Sequence, residues 1–159
     1  RLMNAYDEQA IEAVLRLRDA GVDVKLTVVA VGARGTDMLK HALSLGADEV
    51  VIVPTDTPLD CFAVAQVLAA YIRKSGGADL VLCGRQASDD DQGVVPGLLA
   101  EFLDMPVVTV ARAIEHKEGA LRVTRATPDG DEVVEVSGAA ALEGATNTVR
   151  IRTLRPARK

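Results

Sequence analysis

Aromatic residues are scarce in this chain: two Phe, two Tyr and no Trp among 159 residues. That sets aside a core built on large rings and a surface that stacks nucleic-acid bases on aromatic side chains. Cysteine and histidine are as rare, two of each. Cys61 and Cys83 form no CxxC pair, so neither a disulfide framework nor a zinc site is expected, and the usage fits a reducing compartment. An excess of positive charge is missing too. With 18 Lys and Arg against 23 Asp and Glu, the net charge of -5 gives no broad cationic field, and no nucleic-acid partner is expected. Every apolar run is broken well short of the ~20 residues that span a bilayer, and no signal peptide is read, so membrane insertion is not expected either.

Several motifs are also absent. There is no GxGxxG after a strand, no Walker A loop, no HExxH and no GxSxG. His41 falls on a helix of ordinary composition and His116 beside a hairpin-type turn; both read as surface residues, with no nucleophile at a recognisable spacing. No catalytic residue and no metal ligand is assigned, and the chain does not read as an enzyme.

What remains is regular. Nearly half of the residues are hydrophobic, enough to bury a real core in one domain. Asn4 to Glu8 can cap a helix whose apolar positions Ala10, Ile11, Val14, Leu15 and Leu17 recur until Gly21. The run from Val24 to Val31 ends as a continuous apolar stretch, the mark of a strand buried on both faces of a parallel sheet. A helix follows from Met38 to Leu45, closed by Gly46 at C′, then a strand from Glu49 to Val53, a helix from Leu59 to Lys74, and a strand from Leu80 to Cys83. A fourth helix runs from about Val95 to Leu103 and a short strand from Met105 to Val110. Strands and helices in alternation predict an α/β fold: an open, mostly parallel Rossmann-like sheet with helices on both faces. Beyond Ala111 the period changes to short strands split by Lys117-Glu118-Gly119 and Pro128-Asp129-Gly130, which predicts an appended antiparallel meander. The final stretch, from Gly138, is Ala- and Gly-rich with arginines at 150, 152, 155 and 158, and reads as an extended tail that lies on a partner or stays mobile. The division is therefore 1–111, the nucleotide-binding unit, and 112–159, the meander and partner-binding tail of the same domain. Such a unit normally begins with a strand, whereas this sequence begins almost on a helix; the first strand is expected in residues that precede Arg1.

Two loops invite chemistry. Ser75-Gly76-Gly77-Ala78-Asp79 looks like the SGGxD phosphate loop of ATP pyrophosphatases, but it closes a helix and precedes a strand, the reverse of the order needed to aim N–H groups at phosphate, so it reads as a helix C-cap. The stretch from Leu80 to Gly97 passes from a buried strand through a polar loop into a helix, the place where open α/β sheets bind nucleotides. Its Asp89-Asp90-Asp91 run is either a solvated cap of the next helix or part of a site in which backbone N–H groups, Arg85 and Gln86 meet the anion and the carboxylates meet ribose hydroxyls.

The residues together resemble a family, the β subunit of electron transfer flavoprotein. Asn4-Ala5-Tyr6-Asp7-Glu8 is similar to that family's Asn-Pro-aromatic-x-Glu start of the first helix, and Ala42-Leu43-Ser44-Leu45-Gly46-Ala47-Asp48 to its Ala-Leu-x-Met/Leu-Gly-Ala-Asp helix end. Gly84-Arg85-Gln86-Ala87-Ser88-Asp89-Asp90-Asp91 resembles its Gly-Lys/Arg-Gln-Ala-x-Asp-Asp/Gly-Asp signature, and Pro106 to Thr109 and Asn147 to Lys159 follow in the expected order. Gln92-Gly93-Val94-Val95 departs from the usual Gln followed by Thr or Val.

The resemblance implies a heterodimer in which an α subunit holds most of a redox FAD while this subunit binds AMP, or a second FAD in an electron-bifurcating relative. It implies that Gly84, Arg85, Gln86, Ala87, Asp89, Asp90, Asp91, Gln92, Gly93, Val94 and Val95 wrap the nucleotide, with Asn4, Tyr6, Val31 and Gly32 closing it. It implies acyl-CoA or other flavin dehydrogenases as electron donors, as in fatty acid oxidation, a quinone oxidoreductase as acceptor, and a bacterial cytoplasm or a mitochondrial matrix as location. Leu154, in a Thr-Leu pair shortly before Pro156, is similar to the family's recognition loop, which implies that it docks the client dehydrogenase. A second class stays beside this one, a stand-alone adenine-nucleotide-binding protein of stress-protein type acting as sensor or ATPase. That class carries a Gly-rich phosphate loop after its last core strand, and none is present here.

Overall fold

Helix α1 (Ala5–Asp19) places Asp7 and Glu8 in its first turn and Arg16 and Arg18 in its last, so side-chain charge suits the helix dipole at both ends. Its stripe of Ala10, Ile11, Val14 and Leu17 is buried. The chain then passes through β1 (Val22–Asp23), β2 (Leu26–Val31), α2 (Thr36–Leu45), β3 (Glu49–Val53), α3 (Cys61–Lys74), β4 (Leu80–Cys83), α4 (Val95–Leu103) and β5 (Val107–Val108). It continues through β6 (Ala111–Lys117), β7 (Ala120–Thr127), β8 (Gly130–Val136), β9 (Ala140–Glu143), β10 (Thr148–Ile151) and β11 (Arg155–Pro156). This is the fold of a computed structural model, which describes residues 3, 5–32, 36–84, 92–143, 148–151 and 155–156.

The main sheet has six strands in the order β3-β2-β10-β4-β9-β5. Its β2–β3, β4–β9 and β5–β9 neighbours are parallel, and β10 alone runs antiparallel, to both β2 and β4. Helices cover both faces. Side chains of α1 and α2 join one buried cluster with Leu26, Val28, Leu80 and Leu82, while those of α3 and α4 join a second with Val29, Val81 and Cys83. Alternate residues of β2 and β4 thus enter opposite cores, which is why β4 and the end of β2 read as unbroken apolar runs. The expected open parallel sheet with helices on both faces is the observed fold.

The meander is a separate three-stranded antiparallel sheet, β6-β7-β8. Lys117 pairs with Ala120 across Glu118 and Gly119, both at positive φ, the geometry that matches strand twist in a two-residue hairpin. Leu121, Val123 and Val136 turn inward to the α1 cluster, and the outer face carries the Arg122–Glu135 and Arg112–Asp131 pairs.

The sequence reading gave no elements after Val136, and here the structure adds three. β9 lies between β4 and β5, β10 between β2 and β4, and β11 pairs with β1. Ala140-Ala141-Leu142 is too short and too small for a periodic signal, and only its neighbours make it a fully buried strand. The sheet interior is thereby closed by β10, between β2 and β4.

At the amino edge of the sheet, side chains tie the elements together. Asp48 Oδ2 accepts from the Leu26 amide at 2.7 Å and from Arg18 Nη2 at 2.5 Å. Arg18 also donates to the carbonyls of Gly46 and Val24. The α2 end is a tight C-cap: the Gly46 amide donates to Leu43 O and the Ala47 amide to Ala42 O. Gly46 has φ +118, and a Cβ there would stand 3.1 Å from Leu15 Cδ2, so that position requires glycine on two counts.

Candidate functional site

The opposite edge of the sheet is assembled differently. Register places Val28 of β2, Val149 of β10 and Leu82 of β4 on one level, so β2 and β4 end on the same side, two strand spacings or about 10 Å apart. The helix layers change here. α1 and α2 lie over one face, α3 and α4 over the other, so the gap between β2 and β4 is the topological switch point where open α/β sheets take ligands.

Val31 ends β2 and Gly32 follows at φ +150, its amide donating to Val53 O at 3.1 Å; a Cβ at Gly32 would meet nothing within 4 Å. Gly84, buried, follows β4. The chain returns at Gln92, exposed, then Gly93 at φ +59, and Val94, which caps α4 with no side-chain hydrogen bond. Pro96 stands in the first turn, Gly97 faces open space, and no acidic side chain sits there. Among the described residues no side chain caps the first amides of α4, and the field of the helix favours an anion there.

Two residues that sequence reasoning passed over join this edge. Asp60 caps α3 by accepting from the Ala63 amide at 2.7 Å, and the Cys61 thiol donates to Gln92 Oε1 at 3.2 Å across 31 residues. The signal that could have found them is positional: Asp60 and Cys61 open the helix after β3, and every strand-to-helix junction of a parallel sheet meets the same edge.

Of the residues expected at the site, Tyr6 lies in the first turn of α1, 38% exposed, beside Asp7, which is buried at 2%. Val31, Gly32, Gly84, Gln92, Gly93, Val94 and Val95 lie at the strand ends and the start of α4 just described. Asn4, Arg85, Gln86, Ala87, Asp89, Asp90, Asp91 and Leu154 fall outside the described residues. Ser75-Gly76-Gly77 is the C-cap of α3, with the Gly76 amide on Arg73 O and the Gly77 amide on Ile72 O, as its place in the chain predicted. His41 is a surface residue, paired with Glu8 at 2.8 Å, whereas His116, expected exposed, is half-buried in β6.

A cleft beside the edge, between α1, the end of β4 and β6, holds about 70 Å3 and is lined by Gln9, Ala10, Ala13, Cys83 and Arg112 among others. Ligand pockets run to about 300 Å3 or more, so it has room for waters and not for a nucleotide. Among the described residues no group of three or more His, Cys, Asp or Glu is placed to hold a metal ion, and no helix is long and apolar enough to cross a membrane.

The family model described as electron transfer flavoprotein domain matches residues 1–157. The chain belongs to the electron transfer flavoprotein family. It is 39% identical over 137 residues to the electron transfer flavoprotein subunit beta of Syntrophomonas wolfei, a match covering 86% of this chain and 54% of that protein. It is 36% identical over 138 residues to the caffeyl-CoA reductase-Etf complex subunit CarD of Acetobacterium woodii, over 85% and 53% of the two chains. A probable electron transfer flavoprotein subunit beta of Saccharomyces cerevisiae is 32% identical over 141 residues, over 85% and 54%. The chain spans about half the length of the curated relatives it matches. The Syntrophomonas wolfei relative is named as a β subunit and the Saccharomyces cerevisiae relative as a probable one, as the motifs at Gly84 and Ala42 led us to expect.

Proposed function

We propose that this chain is the nucleotide-binding part of an electron-carrier β subunit. An adenine nucleotide sits where β2 and β4 end, and an α subunit carries the redox FAD. The observation that carries this reading is the switch point itself: Gly32 and Gly84 follow the strands on either side of β10, and α4 starts at the same edge with a first turn that no side chain of the described residues caps. Backbone amides of 93–97, apart from Pro96, are suited to a phosphate, and the absence of a Cβ at Gly32 and Gly97 leaves room for it. Arg85, Gln86 and the Asp89 to Asp91 run supply groups for phosphate and ribose from the intervening loop. The bound FAD would supply electron transfer; this chain's residues bind, orient and exclude water.

AMP and FAD share the adenylate that such a site recognises. The name of the Acetobacterium woodii relative, a subunit of a caffeyl-CoA reductase-Etf complex, supports an enzyme acting on CoA esters as the client. We assign client docking to Leu154, an apolar residue among arginines at 150, 152 and 155, the anatomy of a small anchor with a polar rim.

The test is to co-express the chain with its α subunit, denature the purified complex, and identify the released nucleotides by chromatography and mass. The expected result is one adenine nucleotide per β chain beyond the flavin of the α subunit: AMP for a simple carrier, FAD for a bifurcating one. A complex that releases only the α-subunit flavin would sink the nucleotide reading.

A further inference from the structure

Among the described residues, three other than glycine hold a positive φ: Asp104 at +54, Val110 at +56 and Glu118 at +53. Asp104 is the C-cap of α4, and Glu118 opens the turn between β6 and β7, places where a left-handed residue closes a cap or matches strand twist. Val110 has no such reason. It stands in the link Thr109-Val110 that takes the chain from β5 of the main sheet into β6 of the meander. A β-branched residue suits that region of backbone space least, and the Val110 side chain belongs to neither buried cluster, so packing does not offset the strain.

Strand β7 is what holds the link. The Ala126 amide donates to Val110 O at 3.0 Å, and Arg125 Nη2 donates to Thr109 Oγ1 at 3.2 Å. The hold is incomplete. Arg125 Nε is buried with no hydrogen-bond partner among the described residues, a cost to the closed arrangement, and the ion pair of Arg125 with Glu132 is long, at 3.8 Å. Just past the link the ladder is irregular: Ala111 pairs with Arg125 and Ala113 with Thr124, so Arg112 is bulged out, and regular pairing resumes at Ala113. The rest of the meander is fastened elsewhere, by Leu121, Val123 and Val136 in the α1 cluster. Strain, an orphaned donor and a broken register therefore meet at one corner of a sheet that is otherwise well anchored.

That corner walls the cleft beside the carboxyl edge. Residues 111–114 line it together with Gln9 and Ala13 of α1, and Cys83, 3% exposed, belongs to its buried lining. We propose that residues 109–113 form a strap over this cleft, closed by Arg125 and the Ala126 amide and driven open by the strain at Val110. In the open state Val110 relaxes to an ordinary φ of about −60 to −160°, the start of β6 swings off the cleft, and Arg125 Nε and the Ala126 amide turn to water. Cys83 is then uncovered while the rest of the meander stays on its core. The inference rests on backbone geometry, hydrogen bonds and the cleft, and holds whether or not the edge binds a nucleotide.

Cys83 reports the opening. Iodoacetamide is added to the native full chain, labelling is followed peptide by peptide by mass, and the rate at Cys83 is read as a ratio to that at the half-exposed Cys61 in α3. Where closing outruns labelling, that rate measures the open population. Val110→Asn tolerates the left-handed region, so it relieves the strain of the closed form and is expected to slow Cys83 by about fivefold. Val110→Pro fixes φ near −65°, forbids the closed form and is expected to speed Cys83 by about tenfold or more, with the Leu121 and Val123 amides keeping their hydrogen-exchange protection. Labelling of Cys83 at the unsubstituted rate in Val110→Pro overturns the proposal. If Val110→Pro also strips protection from Leu121 and Val123, the meander itself has unfolded and Val110→Asn decides: slower labelling of Cys83 upholds the strap, and unchanged or faster labelling overturns it.

Discussion

The two edges of the sheet differ in what holds them. At the amino edge, Asp48, Arg18 and Gly46 bind α1, α2, β2 and β3 through side-chain and cap bonds that close on one another. At the carboxyl edge, strand ends break at Gly32 and Gly84, the N-cap Val94 of α4 makes no side-chain hydrogen bond, and the Cys61 thiol donates to the Gln92 amide oxygen. Both edges carry a motif that resembles the same family, yet the Ala42 to Asp48 motif is architecture and the Gly84 to Asp91 motif leads into the candidate site. Resemblance alone does not separate the two; the partners of each residue do.

Breaking that contrast gives predictions, the largest first. Gly93→Val puts a β-branched residue where φ is +59, at a cost of about 1–2 kcal/mol or a displaced loop, and should abolish nucleotide retention while the far-ultraviolet helical signal stays. A variant that still releases stoichiometric nucleotide would clear Gly93 of any role in the site. Asp48→Ala strips the Leu26 amide and Arg18 of their shared acceptor. We expect a loss of about 2–3 kcal/mol in denaturant unfolding, with nucleotide content per folded chain unchanged. If nucleotide content falls in step with stability, the two edges are not independent.

Leu154→Ala should remove roughly 1–3 kcal/mol of client docking and slow electron transfer from the dehydrogenase without moving the melting temperature. A lower melting temperature with unchanged transfer kinetics would place Leu154 in the core instead. Gly46→Ala has a smaller expected effect, about 1–2 kcal/mol of stability, because the residue must hold φ +118 and push Leu15 aside. Smallest is Glu12→Ala, which deletes an exposed pair with Arg16 and should shift stability by less than about 0.5 kcal/mol; a larger change would mean that α1 leans on its surface charges more than its buried stripe suggests.

Much of this architecture was legible in the chain. The stripe of α1, the Gly46 cap, the unbroken run into β2, and the change of period after Ala111 each have a local physical cause, so each could be read before any packing was known. The candidate site was legible as a place, because a strand that ends at Cys83 and a helix that begins near Val95 bracket it. Asp60 and Cys61 were not, since only the return of α3 to the same edge sets them beside Gln92. The half-burial of His116 was missed for a similar reason: a residue one position before a turn looks exposed until the meander is laid on its core.

The sequence by itself determined the alternation of strands and helices, the acidic composition poor in Cys and His, and the family, because these rest on periodicity, composition and motif order within short windows. The tertiary structure alone decided which strands are neighbours. Nothing in Ala140 to Leu142 announces an interior strand, for burial there comes from β4 and β5 and not from the segment itself, and Thr148 to Ile151 takes its place from its pairing with β2 and β4. It also decided that Asp48 is a clamp, since its partners lie 22 and 30 residues away, beyond the reach of any local pattern.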